Sequence, residues 1–211
     1  MPSEILTIHP KNPEIRKITK VADVLRNGSV ILYPTDTGYT LGCKLSNKNG
    51  IEKIRRLRKV ESGKSLTFLC DSLTNLSDFA KVSDSAYKTM RSLVPGPYTF
   101  ILPASKQVPV FAQDAKRKTA GIRVPRQQIS LMLLQELGEP IISISARIPD
   151  YDDAESWEIF EYFSKQLDIV VQLDEDEFDG PSTVIDMTGD EFVITREGAG
   201  MELLSDFIIA E

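Results

Sequence analysis

Several apolar segments of the 211-residue chain end in, or are interrupted by, polar residues of types that bind small charged ligands. These are Thr35 and Thr37 after VILY, Ser143 and Ser145 in PIISISAR, and Arg123 in GIRVP. Ligands of open α/β sheets gather where strand ends meet loops. For the two serines the residues alone favour hydroxyls bonded to their own backbone. Arg123, however, must be paired or face a cavity.

The motifs that are absent narrow the chemistry. The sequence has no phosphate-binding G-x-x-x-x-G-K-[ST] loop, no dinucleotide-binding glycine motif, no nucleophile elbow and no H-E-x-x-H. One histidine, His9, and two cysteines, Cys43 and Cys70, leave no cluster for structural zinc and make a nucleophilic triad improbable. An enzyme of this composition would therefore work by positioning and electrostatics, which suits phosphate or adenylate chemistry.

Composition predicts a single cytoplasmic domain. The chain is 41% hydrophobic, its longest apolar runs have the length of strands, and its N-terminus lacks the pattern of a signal peptide. The net charge of −6 is unevenly distributed. Segments 53–59 and 116–126 are basic, whereas 150–161 and 174–179 are acidic and are interpreted as solvated faces.

Periodicity predicts the elements that must position these residues. The predicted helices are one starting at Asn12-Pro13 with an apolar stripe from Ile15 to Leu25, one over Ile51–Leu57, one over Ala86–Leu93, ISLMLLQEL, and one near 154–167. The predicted strands are VILY, SLTFLC, YTFILPA, AGIRVP, PIISISA, IVVQL, STVIDM and EFVITRE. Alternating strands and helices, with some strands in direct succession, indicate one large mixed α/β sheet.

Five ordered motifs carry a family resemblance. ILYPTDTGYTLGCK, VPGPYTFIL, KTAGIRVP, PIISISA and STVIDMTGDEFVITREGAG resemble the YrdC/YciO family of threonylcarbamoyl-AMP synthases and their relatives. HPKNPEIRKI, Gly38 and KRKTAGIRVP resemble its YciO branch. The resemblance covers about residues 15–200. It implies a single YrdC-like domain over 1–211, in which helices flank a large twisted mixed sheet around a concave central cavity.

The resemblance also implies a reaction. Active members convert L-threonine, bicarbonate and ATP into threonylcarbamoyl-AMP and pyrophosphate for the threonylcarbamoyladenosine modification of tRNA. Mg²⁺ would accompany the nucleotide, and no structural metal is expected. By match to family positions, the residues expected to bind threonine are Thr35, Tyr39, Thr119 and Arg123, with Tyr39 walling or capping the pocket. Ser145 and Arg196 match positions on the adenylate side.

The chain departs from the synthase pattern at two signatures. Arg58 and Val60 stand where the family has Lys and Arg, and Arg147 replaces the Asn of Ser-x-Asn. The cations that would replace the missing ones at a nucleotide site are Arg56, Arg58, Lys59, Lys64 and Arg147. The departures imply an activity that is weaker than in the synthases or directed to another substrate.

Two alternatives remain open from sequence. The family is also associated with double-stranded RNA, and the basic segments 53–64 and 116–126 would bind its backbone. A relative that binds nucleotide without turnover is equally compatible with the departures. RNA binding would weaken steeply with salt, whereas a buried nucleotide site would respond much less.

Overall fold

A computed structural model describes residues 3–61, 66–151, 154–175 and 178–204. The helices are α1 Ile15–Arg26, α2 Lys48–Leu57, α3 Asp84–Leu93, α4 Gln128–Leu137 and α5 Ser156–Ser164. The strands are β1 Glu4–Ile8, β2 Ile31–Thr35, β3 Gly38–Lys44, β4 Thr67–Leu69, β5 Tyr98–Pro103, β6 Thr119–Arg123, β7 Ile141–Ser145, β8 Ile169–Leu173, β9 Thr183–Asp186 and β10 Val193–Arg196.

All these strands join one mixed sheet in the order β1-β8-β2-β3-β7-β4-β6-β5-β9-β10. Strands β1, β8 and β2 are mutually parallel, as are the pairs β4–β6 and β5–β9. The remaining neighbours are antiparallel. The predicted single α/β domain with a large mixed sheet is confirmed, because this one sheet takes strands from the whole described chain.

The two faces of the sheet are covered differently. On β2, Leu32 packs in a cluster with residues of α2, α3 and α5, whereas Ile31 and Tyr33 pack with residues of α1 and α4. Successive strand residues point to opposite faces, so α1 and α4 share one face and the other three helices cover the opposite one.

The helix α1 begins later than the sequence predicts. Its N-cap is Glu14 rather than Asn12, because the Nδ1 atom of His9 accepts the backbone N–H of Lys11 and of Asn12 and holds that segment in a turn. Ile15, expected in the apolar stripe, is exposed. The other predicted helices and strands are confirmed within a few residues. The sequence prediction did not include β1, nor the return strand β3 that pairs with β2.

None of the helices in the described part of the chain has the length and apolar character that a membrane-spanning helix needs.

Candidate functional site

The first cavity lies on the sheet face that α1 and α4 leave partly uncovered. Its volume is about 300 Å³. The register explains its polar lining, because Thr40 pairs with Ser145, Thr67 with Ser143, and Leu69 with Arg123, which places these side chains on one face. The polar residues that line it are Thr40, Thr67, Thr99, Arg123, Ser143, Ser145, Ser182 and Arg196. No carboxylate is found among its lining residues in the described ranges.

Arg123 is held at the cavity by the turn that follows β2. It is 5% exposed and lies between the buried Ile122 and Val124 of the opposite face. Its Nη2 donates to Oδ1 of Asp36 at 2.5 Å, and its Nη1 donates to the hydroxyl of Thr37. Burial lowers the pKa of Arg123, and the charge of Asp36 opposes that change. Its Nε is buried and has no hydrogen-bond partner among the described residues.

Arg196 brings a second positive charge to the cavity. Its Nε and Nη2 donate to the carbonyl of Ser182 at 2.9 and 2.7 Å, and Nη2 also reaches the Ser182 hydroxyl at 2.7 Å. Burial lowers the pKa of Arg196, and repulsion from Arg147 and Arg123 lowers it further. Arg123 and Arg196 therefore place two guanidinium groups in a cavity without a lining carboxylate among the described residues, an arrangement that favours an anion.

A buried tyrosine positions one of the cavity hydroxyls. The Tyr33 hydroxyl and the Ser143 hydroxyl are 2.6 Å apart, and Ser143 also approaches the carbonyl of Ile141 at 3.4 Å. Burial raises the pKa of Tyr33, which stays neutral. The interpretation of Ser143 as bonded mainly to its own backbone is therefore wrong, because its short contact is with a side chain two strands away in the sheet.

Three predicted substrate residues do not line the first cavity. Thr35 is fully buried, and its hydroxyl donates back to the carbonyl of Gly38 at 2.8 Å within the turn. Tyr39, expected to wall or cap the pocket, packs in the core against Phe160, and its hydroxyl accepts the N–H of Leu173 at 3.1 Å. Thr119 is buried at the start of β6. The expectation that Thr35 walls this cavity is corrected, because its hydroxyl is used by its own turn.

The expected replacement cations are dispersed. Arg58 donates to the carbonyls of Ser145 and Arg147 at 2.7 and 2.8 Å, which ties the end of α2 to the end of β7. Lys59 is exposed and lies 2.5 Å from Asp150. Arg56 is exposed on α2, and Lys64 lies outside the described residues.

Thus, of the predicted site residues, the structure brings together Arg123, Ser145 and Arg196, with Arg147 close by. The polar lining residues missed by the sequence prediction are Thr40, Thr67, Thr99 and Ser182. Each of them is a hydroxyl residue in or beside an otherwise largely apolar strand, a weak signal in sequence. Pairing of distant strands brings them together, and single-sequence patterns do not give that pairing.

Chemically, this is a hydroxyl-rich cationic cavity on one face of a mixed sheet, suited to an anionic small molecule rather than to a metal ion. In the described residues there is no group of three or more His, Cys, Asp and Glu side chains that could hold a metal. The class of protein is thus an α/β domain with a cationic, hydroxyl-lined cavity on one face of a single mixed sheet.

Comparison with known proteins identifies the family. The family model Sua5/YciO/YrdC, described as telomere recombination, matches residues 23–198. The chain is 41% identical over 203 residues to the uncharacterized protein YciO of Escherichia coli K12, covering 94% of this chain and 97% of that protein. The chain belongs to the Sua5/YciO/YrdC family.

Solved structures agree with this assignment. The crystal structure of E. coli YciO has a TM-score of 0.86 and covers 93% of this chain and 96% of its own. The crystal structure of Sua5 from P. abyssi complexed with L-threonine has a TM-score of 0.83 at 26% identity, covering 96% of this chain and 60% of that chain.

A relative in Methanocaldococcus jannaschii, 29% identical over 93% of each chain, is named a putative threonylcarbamoyl-AMP synthase.

Proposed function

We propose that this protein is an ATP-dependent enzyme that adenylates the carbamate of a small amino acid, as in L-threonylcarbamoyladenylate synthesis. The observation that carries the proposal is the presence of Arg123 and Arg196 in a hydroxyl-lined cavity without a lining carboxylate among the described residues. Relatives named as threonylcarbamoyl-AMP synthases, and a Sua5 structure complexed with L-threonine, support the choice of substrates.

The reaction needs no protein nucleophile. The amine of L-threonine combines with bicarbonate to give a carbamate and water. A carbamate oxygen then attacks the α-phosphorus of ATP, a P–O bond forms, and the bond to pyrophosphate breaks. Each step requires orientation and the stabilisation of negative charge, which fixed guanidinium groups supply in a partly desolvated cavity.

Each cavity residue has a role in this proposal. The guanidinium of Arg123, which lines the cavity, binds the amino-acid carboxylate or the carbamate, while Asp36 and Thr37 fix its plane. Arg196 and Arg147 bind the phosphate oxygens, and Ser145 lies beside them at the end of β7. Mg²⁺ would enter with ATP, held by phosphate oxygens and water.

The ion pairs of the basic segments weigh against RNA binding as the main function. Lys59 pairs with Asp150, and Arg126 pairs with Asp179 at 2.6 Å. A carboxylate beside each of these two cations lowers the positive potential that phosphate backbones require.

Calorimetry with ATP and Mg²⁺ tests the nucleotide part of the proposal. Arg196→Ala should weaken binding by about 1.5 to 3 kcal/mol, the range for a charge-assisted hydrogen bond. Arg91→Ala is the matched control, because Arg91 is exposed on α3, which covers the opposite face. Equal ATP affinity in the folded Arg196→Ala and wild-type proteins would remove Arg196 from the site, and absence of ATP binding in the wild type would reject the proposal.

A further inference from the structure

A second cavity lies at the carboxyl ends of the three parallel strands β1, β8 and β2. Its volume is about 710 Å³. The residues that contribute to it from these ends are Lys11 after β1, Leu173 at the end of β8, and Asp36 after β2. The crevice outside the carboxyl ends of parallel strands is where α/β proteins most often bind ligands. This cavity shares no lining residue with the first cavity in the described part of the chain.

Asp36 gives the second cavity a buried carboxylate of which one oxygen accepts a hydrogen bond from the described residues and the other does not. The residue is 5% exposed, and its Oδ1 accepts from Arg123 of the first cavity. Its Oδ2 has no hydrogen-bond partner among the described residues. A buried carboxylate oxygen without a partner is costly, so a ligand that donates a hydrogen bond there, above all an ammonium group, would be stabilised.

The N-terminus of α4 gives the same cavity donors for an anion. Gln127 and Gln128, the N-cap and first residue of this ten-residue helix, both line it. The first N–H groups of a helix have no intrahelical acceptor. The Gln127 side chain satisfies only that of Ser130, at 3.1 Å. Within the described ranges, the N–H groups at positions 128 and 129 have no hydrogen-bond acceptor and are available to an anionic group, which the helix dipole also favours.

The acceptor and the donors are held next to each other by backbone contacts. The Ser130 hydroxyl, in the first turn of α4, donates to the carbonyl of Pro34 at 2.6 Å, two residues before Asp36. On the other side, the N–H of Asp179 donates to the carbonyl of Asp36 at 2.8 Å. Asp179 also pairs with Arg126 at the cavity. The helix start, the aspartate turn and the segment at 179 thus form one fixed frame.

We propose that the second cavity binds a small zwitterion, with its ammonium group on Asp36 and its carboxylate on the first turn of α4. A molecule with only one of the two charges satisfies only one side of the cavity. The site is separate from the proposed nucleotide and threonine cavity, so it can be present whether or not that proposal holds.

NMR titration of the ¹⁵N-labelled protein tests this site. The probes are glycine, 3-aminopropanoate and 4-aminobutanoate, which vary the spacing of the charges, with methylammonium and acetate as single-charge controls. At least one zwitterion should shift the amide signals of Gln128, Ile129 and Phe178 at a concentration about tenfold lower than either control. Unchanged signals for all three zwitterions would overturn the proposal, as would shifts confined to first-cavity residues such as Thr67 and Ser182.

Two variants separate the two halves of the site. Gln128→Pro removes the N–H at the first helical position, where proline is tolerated, and Gln127 already has the extended conformation that precedes proline (φ −72°, ψ 128°). It should weaken zwitterion binding about tenfold relative to Gln128→Ala, which removes the same side chain but keeps the N–H. Asp36→Asn should abolish the preference for a zwitterion over acetate. Equal affinity in Gln128→Pro and Gln128→Ala would contradict the assignment of the carboxylate to α4.

Discussion

Replacing Arg123 with lysine tests the central group of the first cavity. In the wild type the guanidinium of Arg123 donates to Asp36 and Thr37, and the residue lines the cavity. Lysine keeps the charge, so Asp36 retains a cation, but a single ammonium cannot reproduce the planar fork. We expect the loss of one charge-assisted bond, about 1.5 to 3 kcal/mol, to appear mainly as weaker binding of the amino acid or carbamate, about tenfold or more.

Comparing Arg123→Met with Arg123→Lys separates the effect of Arg123 on stability from its effect on ligand binding. It leaves Asp36 charged and unpaired in a buried position, which typically costs about 3 to 5 kcal/mol of the free energy of unfolding. Urea denaturation should therefore rank wild type, Arg123→Lys and Arg123→Met in decreasing stability, while threonine-dependent pyrophosphate release falls in both variants. If Arg123→Lys loses stability but keeps full threonine-dependent turnover, Arg123 is a structural ion-pair residue and the placement of the substrate carboxylate is wrong.

Three further predictions concern the cavity wall and the core. Tyr33→Phe removes the hydroxyl that holds Ser143 and should lower the free energy of unfolding by about 1 to 3 kcal/mol in urea denaturation, with unchanged stability contradicting the short bond. Gly121→Ala places a methyl group 3.3 Å from Thr67 on the cavity floor, so calorimetry should show weaker ATP binding while the melting temperature changes little; an unfolded variant would contradict this. Burial raises the pKa of Cys43 and of Cys70 from 9.0 to about 12, so the unfolded thiols ionise first and stability should fall as pH rises from 9 to 12. Urea denaturation should be run at pH 9 and one unit higher. Over that interval the variant with Cys43 and Cys70 both replaced by alanine should lose about 1 kcal/mol less of its free energy of unfolding, per thiol removed, than the wild type. Parallel pH profiles of the two proteins would refute thiol ionisation as the cause.

The sheet was predictable because its strands are short apolar runs bounded by turn residues. Edge strand β1 escaped prediction because Leu6 and Ile8 give it only a weak apolar alternation, and its pairing with β8 comes from the far end of the chain. The start of α1 was misplaced because Asn12 reads locally as an N-cap, whereas the ring of His9 takes the N–H groups of that segment. Local propensity decides such a position only when no side chain from a neighbouring element competes.

The candidate site was predictable where a single residue violated the local pattern. An arginine between two buried aliphatic residues required a partner or a cavity, and the structure gives it both. Thr35 is likewise a polar residue at the end of an apolar strand, but its hydroxyl is small enough to bond within its own turn. Sequence does not distinguish a hydroxyl bonded in its turn from one that faces a cavity. The hydroxyls of Thr99 and Ser182, 3.0 Å apart, enter the site only through the pairing of β5 with β9.

Pyrophosphate release is the most direct test of the proposed function. The purified protein is incubated with ATP, Mg²⁺, L-threonine and bicarbonate, and each component is omitted in turn. The proposal predicts release that requires all four and that falls about tenfold or more in Arg123→Lys. Release without L-threonine, or no release above the protein-free control while ATP still binds in calorimetry, would contradict it and leave a nucleotide-binding protein without this activity.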